Sequence, residues 1–153
     1  MAQWLGARGG RPDDGEVARA EPALKVERLR QEIRHADGIV LGTPEYHGSF
    51  SGVLKNALDL TDPEDWRGRM IAHAGISGGS AGPGSALMGL RSVGRGLYAW
   101  VLPGQVAIAS AHKAFDEQGQ PHSPDIAERL MQLGGELTHF ARVHAADRAA
   151  ERS

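Results

Sequence analysis

Hydrophobic positions along this chain follow two periods in turn. From Ala23 to His35 the apolar residues Val26, Leu29 and Ile33 fall at i, i+3 and i+7, the one-face spacing of an amphipathic helix. Pro22 suits the first turn of that helix, and Lys25, Arg30 and Arg34 fall on its opposite, solvated face. Ala36-Asp37-Gly38 breaks the pattern, and Ile39-Val40-Leu41 follows as an apolar run too short for a helix. Bounded by turn formers, that run reads as a buried parallel strand. Thr43–Ser49 is then a loop, and a helix is predicted from Ser51 to Leu60 with Val53, Leu54, Ala57 and Leu58 turned inward.

Strand and helix continue to alternate. Asp62-Pro63-Glu64-Asp65 is an acidic, solvated turn, and Met70-Ile71-Ala72-His73-Ala74 is a second buried strand. It dissolves into Gly75–Gly84, after which Ala86, Leu90, Val93 and Leu97 mark another amphipathic helix. Gly89, Gly94 and Gly96 weaken that helix by up to about 1 kcal/mol each relative to Ala, which suggests close packing against a sheet. Trp100–Ala109 is a third strand with Pro103-Gly104 as a bulge or kink near its start, and His112–Pro124 is loop. Ser123, Pro124 and Asp125 fit the start of a last helix by capping, fixed φ and dipole charge. Ile126, Leu130, Leu133, Leu137, Phe140 and His144 form its stripe, and Ala145–Ser153 frays. Helices alternating with strands imply right-handed crossovers and an α/β fold, a parallel sheet between two helical layers. Residues 1–22, rich in Gly and Pro with charges of both signs, read as a flexible tail before one domain at 23–153.

Composition narrows the function classes. Apolar residues make up 41% and charged residues 24% of 153 positions, an ordinary globular balance. Net charge is −2, from 17 basic and 19 acidic residues, against the basic excess of a nucleic-acid binder. Cysteine is absent, which removes disulfides, thiolate metal sites and a cysteine nucleophile. No apolar run approaches the roughly 20 residues of a membrane span. Met1–Arg11 lacks the basic-then-apolar order of a secretory leader, so a cytoplasmic protein without nucleic-acid or membrane partners is expected.

Ligands of open parallel sheets bind beyond the carboxyl ends of the strands, where two loops stand out. Gly75–Gly84 holds five glycines in ten residues, and it leads into a helix N-terminus with unpaired N–H groups. It lacks the Gly-Lys-Ser/Thr of a Walker loop and the spacing of a dinucleotide fingerprint. Thr43–Ser49 joins a turn-forming proline, an acid, an aromatic and a histidine, either as a ligand loop or as a plain helix entry capped by Ser49 or Ser51. Gly75-Ile76-Ser77-Gly78-Gly79 has the spacing of a nucleophile elbow, which would call on Asp116 with His122 or His139. None of the seven histidines forms a metal-ligand pattern, and no metal site is expected. His73 reads as a packed core residue.

The run Ala36–Ser49, ending Thr43-Pro44-Glu45-Tyr46-His47-Gly48-Ser49, and its continuation Leu54-Lys55-Asn56-Ala57-Leu58-Asp59 resemble the NADPH-dependent FMN reductase family. Ser77-Gly78-Gly79 with Gly82, Leu90-Arg91, Leu102-Pro103 with Gln105-Val106, and Phe115-Asp116 with Gly119 are similar to later parts of the same pattern. The resemblance spans roughly Leu24 to Phe140. It implies a flavodoxin-like three-layer α/β/α fold that binds FMN and accepts hydride from NADPH or NADH. The hydride leaves to a quinone, azo, metal or flavin acceptor, and the subunits form homodimers or homotetramers. It also implies that Pro44, Glu45, Tyr46, His47 and Gly48 line the flavin ring on one side and Ser77, Gly78, Gly79 and Gly82 on the other. The flavin supplies the chemistry, so no side chain need act as acid or base.

Members of that family begin with a strand and a loop like Gly-Ser-x-Arg-x-x-Ser that holds the FMN phosphate. The resemblance starts after that unit. In a sheet of order 2-1-3-4-5, strands 3–5 are then expected here, with the Ile39 strand exposed at its edge. Gly6-Ala7-Arg8-Gly9-Gly10-Arg11 has amides and arginines, but only five residues precede it. A clipped start, a strand lent by another chain, and a non-catalytic remnant serving as an oligomerisation or interaction module are the readings that follow.

Overall fold

A computed structural model describes residues 12–150, with side-chain surroundings for 23–147. The elements are α1 (Pro12–His35), β1 (Gly38–Tyr46), β2 (Ser49–Phe50), α2 (Gly52–Asp59), α3 (Pro63–Trp66), β3 (Met70–Ile76), α4 (Gly84–Gly96), β4 (Trp100–Ile108), α5 (Ala111–Ala114) and α6 (Pro124–Ala150). The sheet order is β2-β1-β3-β4. β1, β3 and β4 are parallel, and β2 folds back antiparallel on the end of β1. This is the expected flavodoxin-like α/β/α sandwich.

Side chains alternate between the two faces of each strand, which gives the sheet two separate cores. Met70 and Ala72 of β3 and Leu102, Val106 and Ile108 of β4 pack with Leu133, Leu137 and Ala141 of α6. On the other face, Leu41 and Ile71 meet Ile33, Leu58, Trp66 and Leu90 from α1, α2, α3 and α4. Glycine permits the close approach of α4. A Cβ at Gly94 would lie 2.7 Å from Val101 Cγ2, and one at Gly89 would lie 2.8 Å from the Phe50 ring.

The bulge in β4 is where the sequence placed it. Ile71 pairs with Val101 and His73 with Gln105, so Leu102-Pro103-Gly104 stands opposite Ala72 alone. Arg91 of α4 holds this stretch by donating to the Leu102 carbonyl (3.0 Å), the Pro103 carbonyl and Gln105 Oε1 (2.8 Å).

Several boundaries differ from expectation. α1 begins at Pro12, so residues 12–22 are helical and Pro22 lies inside the helix. Pro12 followed by Asp13 and Asp14 is the residue order that favours a helix start. Residues 1–11, with the Gly6–Arg11 stretch, lie outside the described residues. Val53 is exposed, because the buried row of α2 is Leu54, Ala57 and Leu58, and Val53 sits one step off it. α6 covers β3 and β4 but meets β1 at Gly38, beside Leu137 and Ala141. Leu130 and Phe140, flanking that row, therefore stay partly in solvent. His144 stacks on Trp100 at 5.2 Å, and α6 continues through the expected frayed end to Ala150. His112–Pro124 contains the short α5 and a bridge between Phe115 and Pro121.

The acidic turn is a correction of another kind. Pro63–Trp66 is helical, and Asp65 is buried rather than solvated. Its Oδ2 accepts from Arg30 Nε (2.9 Å) and the Asp62 amide (3.0 Å), while Oδ1 pairs with Arg34 Nε at 3.0 Å. Arg30 also pairs with Asp62. The supposed solvated face of α1 thus docks on α3.

Candidate functional site

The strands β1, β3 and β4 end together at Tyr46, Ile76 and Ile108, and the candidate site lies beyond them. β1 runs five residues further than its apolar core because Gly42, Thr43 and Pro44 pair with Ala74, Gly75 and Ile76. The expected loop Thr43–Ser49 is therefore the end of a strand and a tight hairpin. Glu45 pairs with Phe50 and Tyr46 with Ser49. The turn is His47-Gly48, with φ of 53° and 77°, a left-handed pair suited to a two-residue hairpin. β2 covers the upper end of the β1 edge that was expected to be open. Thr43 is buried and its Oγ1 accepts from the Ser51 amide at 3.0 Å, while Ser51 Oγ caps α2 through the Leu54 amide. Tyr46, His47 and Gly48 are exposed, and Pro44 and Glu45 are half-buried.

The glycine-rich loop is tied to a third segment by backbone bonds. The Ser77 amide donates to the Ile108 carbonyl, the Ser110 amide to Gly79, and the Ala111 amide to Ser77, all within 2.9–3.0 Å. The Ser77 hydroxyl donates to the Gly79 carbonyl at 3.0 Å, so it is engaged in shaping the loop rather than facing a histidine. Asp116, the acid a hydrolase reading would use, accepts instead from the Gln118 and Gln120 amides. Gly78 and Gly79 are exposed, and a Cβ at either would meet nothing within 4 Å. Gly82 has φ +79°, where a side chain is strained. Between β1, β3 and β4 lies a hollow of about 350 Å³ lined by Gly42, Thr43, Pro44, Ala74, Gly75, Ile76 and Ile108.

The hairpin is joined to α4, the helix that follows the glycine-rich loop, through Glu45, whose Oε2 accepts from the Ala86 amide at 2.9 Å. The carboxylate is thus committed to α4. Ala109–Ala111, with Ser110 at φ 51°, was missed from sequence. Its place after the third parallel strand was the one available signal.

Beneath the site, His73 of β3 is wholly buried, and neither ring nitrogen has a hydrogen-bond partner. Burial, reinforced by the nearby charge of Arg91, pushes its pKa down to about 4. Among the described residues no cluster of three His, Asp or Glu could hold a metal, and no helix is long and apolar enough to cross a membrane.

The sequence matches the profile of the NADPH-dependent FMN reductases over residues 11–113. The chain belongs to that family. A similar relative is an NADPH azoreductase of Bacillus sp., 32% identical over 77% of this chain and 66% of its own length. An FMN-dependent NADPH-azoreductase of Staphylococcus aureus is 36% identical over 63% of this chain and 51% of its own. The chain thus spans about half to two thirds of the length of these relatives. Among solved structures, a flavoenzyme NAD(P)H:(acceptor) oxidoreductase of Paracoccus denitrificans superposes with a TM-score of 0.61 at 26% identity. That match covers 79% of this chain and 68% of the other. The resemblance read from Thr43–Ser49 and Leu54–Asp59 is therefore a family relationship.

The residues present suit the ring part of FMN. A flat heterocycle needs an apolar surface beside main chain that it can approach closely. The hollow at the ends of β1, β3 and β4, which Pro44 alone of the expected ring contacts lines, supplies the first, and the open positions Gly78 and Gly79, just past the end of β3, supply the second.

Proposed function

We propose that this chain provides the ring-binding portion of an NAD(P)H-dependent FMN reductase site. The observation that carries this reading is that the His47-Gly48 hairpin ends β1 and the Ser77–Gly82 loop follows its parallel neighbour β3, so both stand beyond the carboxyl ends of adjacent strands, in a chain of this family. Pro44, Glu45, Tyr46, His47 and Gly48 would form one wall, and Ser77, Gly78, Gly79 and Gly82 the other. Bound there, FMN would supply the hydride-transfer chemistry between NAD(P)H and a quinone, azo, metal or flavin acceptor. The chain's own residues then have three tasks. The hairpin turn and the glycine backbone orient the ring edge, the apolar floor excludes water, and Tyr46 offers a planar side chain at the entrance. None of these tasks moves a proton, and the pH dependence of turnover should not reflect a side-chain acid in the site. A homodimer or homotetramer working in the cytoplasm is part of this reading.

Titrating the purified chain with FMN tests it. Saturable quenching of flavin fluorescence, lost in Gly79→Val, is the expected result, followed by NADPH oxidation when a quinone or azo dye is added. A colourless chain with no quenching removes the flavin reading. FMN binding without turnover, in a stable oligomer, supports the interaction-module reading instead.

A further inference from the structure

We propose that Glu45 is a positioning residue, a latch whose carboxylate fastens the β1–β2 hairpin to the start of α4 and so fixes the gap between the two walls of the site. The reference to a flavin gap rests on the reading above; the latch itself rests on four observations.

First, α4 cannot cap itself. Its N-cap residue is Pro83, which has no side-chain acceptor, and its first turn contains no acid. The first N–H groups of a helix need an outside acceptor, and an anion there is favoured by the helix dipole. Glu45, 41 residues away in sequence, provides that acceptor to the Ala86 amide.

Second, above the Thr43–Ser51 bond at its base the hairpin has little of its own to fix its position. It has two residue pairs, Glu45 with Phe50 and Tyr46 with Ser49, and a hairpin of this size is marginal alone.

Third, there is a second contact beside the first. Phe50, the cross-strand partner of Glu45, lies against Gly89, where a Cβ would come within 2.8–2.9 Å of the ring. Ala86 and Gly89 are one helical turn apart and share a face. The hairpin therefore touches α4 at two stacked points, one charged and one aromatic.

Fourth, the end of α4 that Glu45 grips is the end at which the glycine-rich loop terminates, since Pro83 is buried and Gly84 opens the helix. Moving the hairpin relative to α4 moves Tyr46, His47 and Gly48 relative to Ser77, Gly78 and Gly79.

A cap acting only on its own helix predicts a local effect, whereas a latch predicts coupled effects in both elements. Hydrogen exchange on the full chain distinguishes them without any ligand. In Glu45→Ala, amides of residues 45–51 and of the first turn of α4 should both exchange faster, by at least about fivefold for the loss of a capping bond. Glu45→Gln keeps a carbonyl acceptor for Ala86 and should restore both within about threefold. Glu45→Ala with Ser85→Asp returns an anion to the helix end but not the tether, so it should protect α4 while the hairpin stays labile. Where wild-type chain binds FMN, the dissociation constant should follow the hairpin. It should rise by at least about fivefold in Glu45→Ala, recover in Glu45→Gln and stay raised in the double variant.

Unchanged hairpin exchange in Glu45→Ala, or full recovery of hairpin protection in the double variant, would overturn the latch. If wild-type chain binds no FMN, the flavin reading fails and the exchange pattern alone judges the latch. Should Glu45→Ala not fold, Phe50→Ala removes the second contact and is read by the same exchange measurement. Faster exchange in both elements supports the latch, and change confined to residues 49–51 refutes it.

Discussion

The two faces of the sheet are built differently. The face toward α1, α2, α3 and α4 is closely covered. It holds the fully buried Ile71, Leu87 and Leu90, an uncharged histidine, and the Arg30-Arg34-Asp65 cluster at its margin. The face toward α6 is covered over β3 and β4, but β1 contributes the exposed Val40 and Gly42. Among the described residues nothing packs over that part of β1. One face is organised by tight, partly polar contacts that tolerate little change. The other opens, toward the strand ends, onto the apolar hollow.

This contrast can be broken by measurement, and the largest effect should come from Asp65. Asp65→Ala removes the buried acceptor shared by the Asp62 amide and two partly exposed arginines, and chemical denaturation should show a loss of about 1–3 kcal/mol. A loss below about 1 kcal/mol would mean that the cluster is solvent-screened like an ordinary surface pair.

His73 should add acid sensitivity on the same face. Its folded pKa of about 4 lies below its ordinary value of 6.5. The unfolded chain therefore takes up the proton first as pH falls, and stability that is full above about 6.5 is lost toward 4. Between pH 7 and 5 the wild-type chain should lose about 2 kcal/mol more than His73→Leu. Parallel urea curves at the two pH values check this, and equal losses would refute it.

Gly94→Ala should cost about 1–2 kcal/mol, because overpacking against Val101 outweighs the gain in helix propensity. Gly96, where a Cβ meets nothing, is the control, and Gly96→Ala should stabilise by up to about 1 kcal/mol. The smallest effect belongs to the other face. Val40→Ser should change the thermal midpoint least, with a cost under about 1 kcal/mol. A large loss there would show that the face is covered in solution.

Local pattern carried much of this architecture. The rows Leu54-Ala57-Leu58 and Ala86-Leu90, the strand Met70–Ala74 and the β4 bulge were all readable, because each depends on neighbours a few residues away. The first ligand wall was readable only as the motif Thr43–Ser49. Its shape was not, since β1 is prolonged by pairing with residues 74–76. The Asp65 cluster joins residues more than 30 positions apart, and the Glu45–Ala86 bond joins residues 41 apart. Nothing in the local sequence of either partner announces the other. Val53 misled for the opposite reason: an apolar residue next to a buried row need not be buried.

The β4 bulge has a consequence for how this strand can vary in length. Leu102 precedes it and Val106 and Ile108 follow it, yet all three enter the same core. That is possible because the bulge adds an even number of residues, two more than its partner strand uses. Parity of inside and outside survives an even change and is reversed by an odd one. Deleting both Pro103 and Gly104 would leave Val106 and Ile108 facing α6. Deleting either one alone would turn them toward α4 and set Gln105 and Ala107 in the core. The strand can therefore gain or lose residues there in pairs without turning its core residues outward, and in this chain Arg91 closes over the pair.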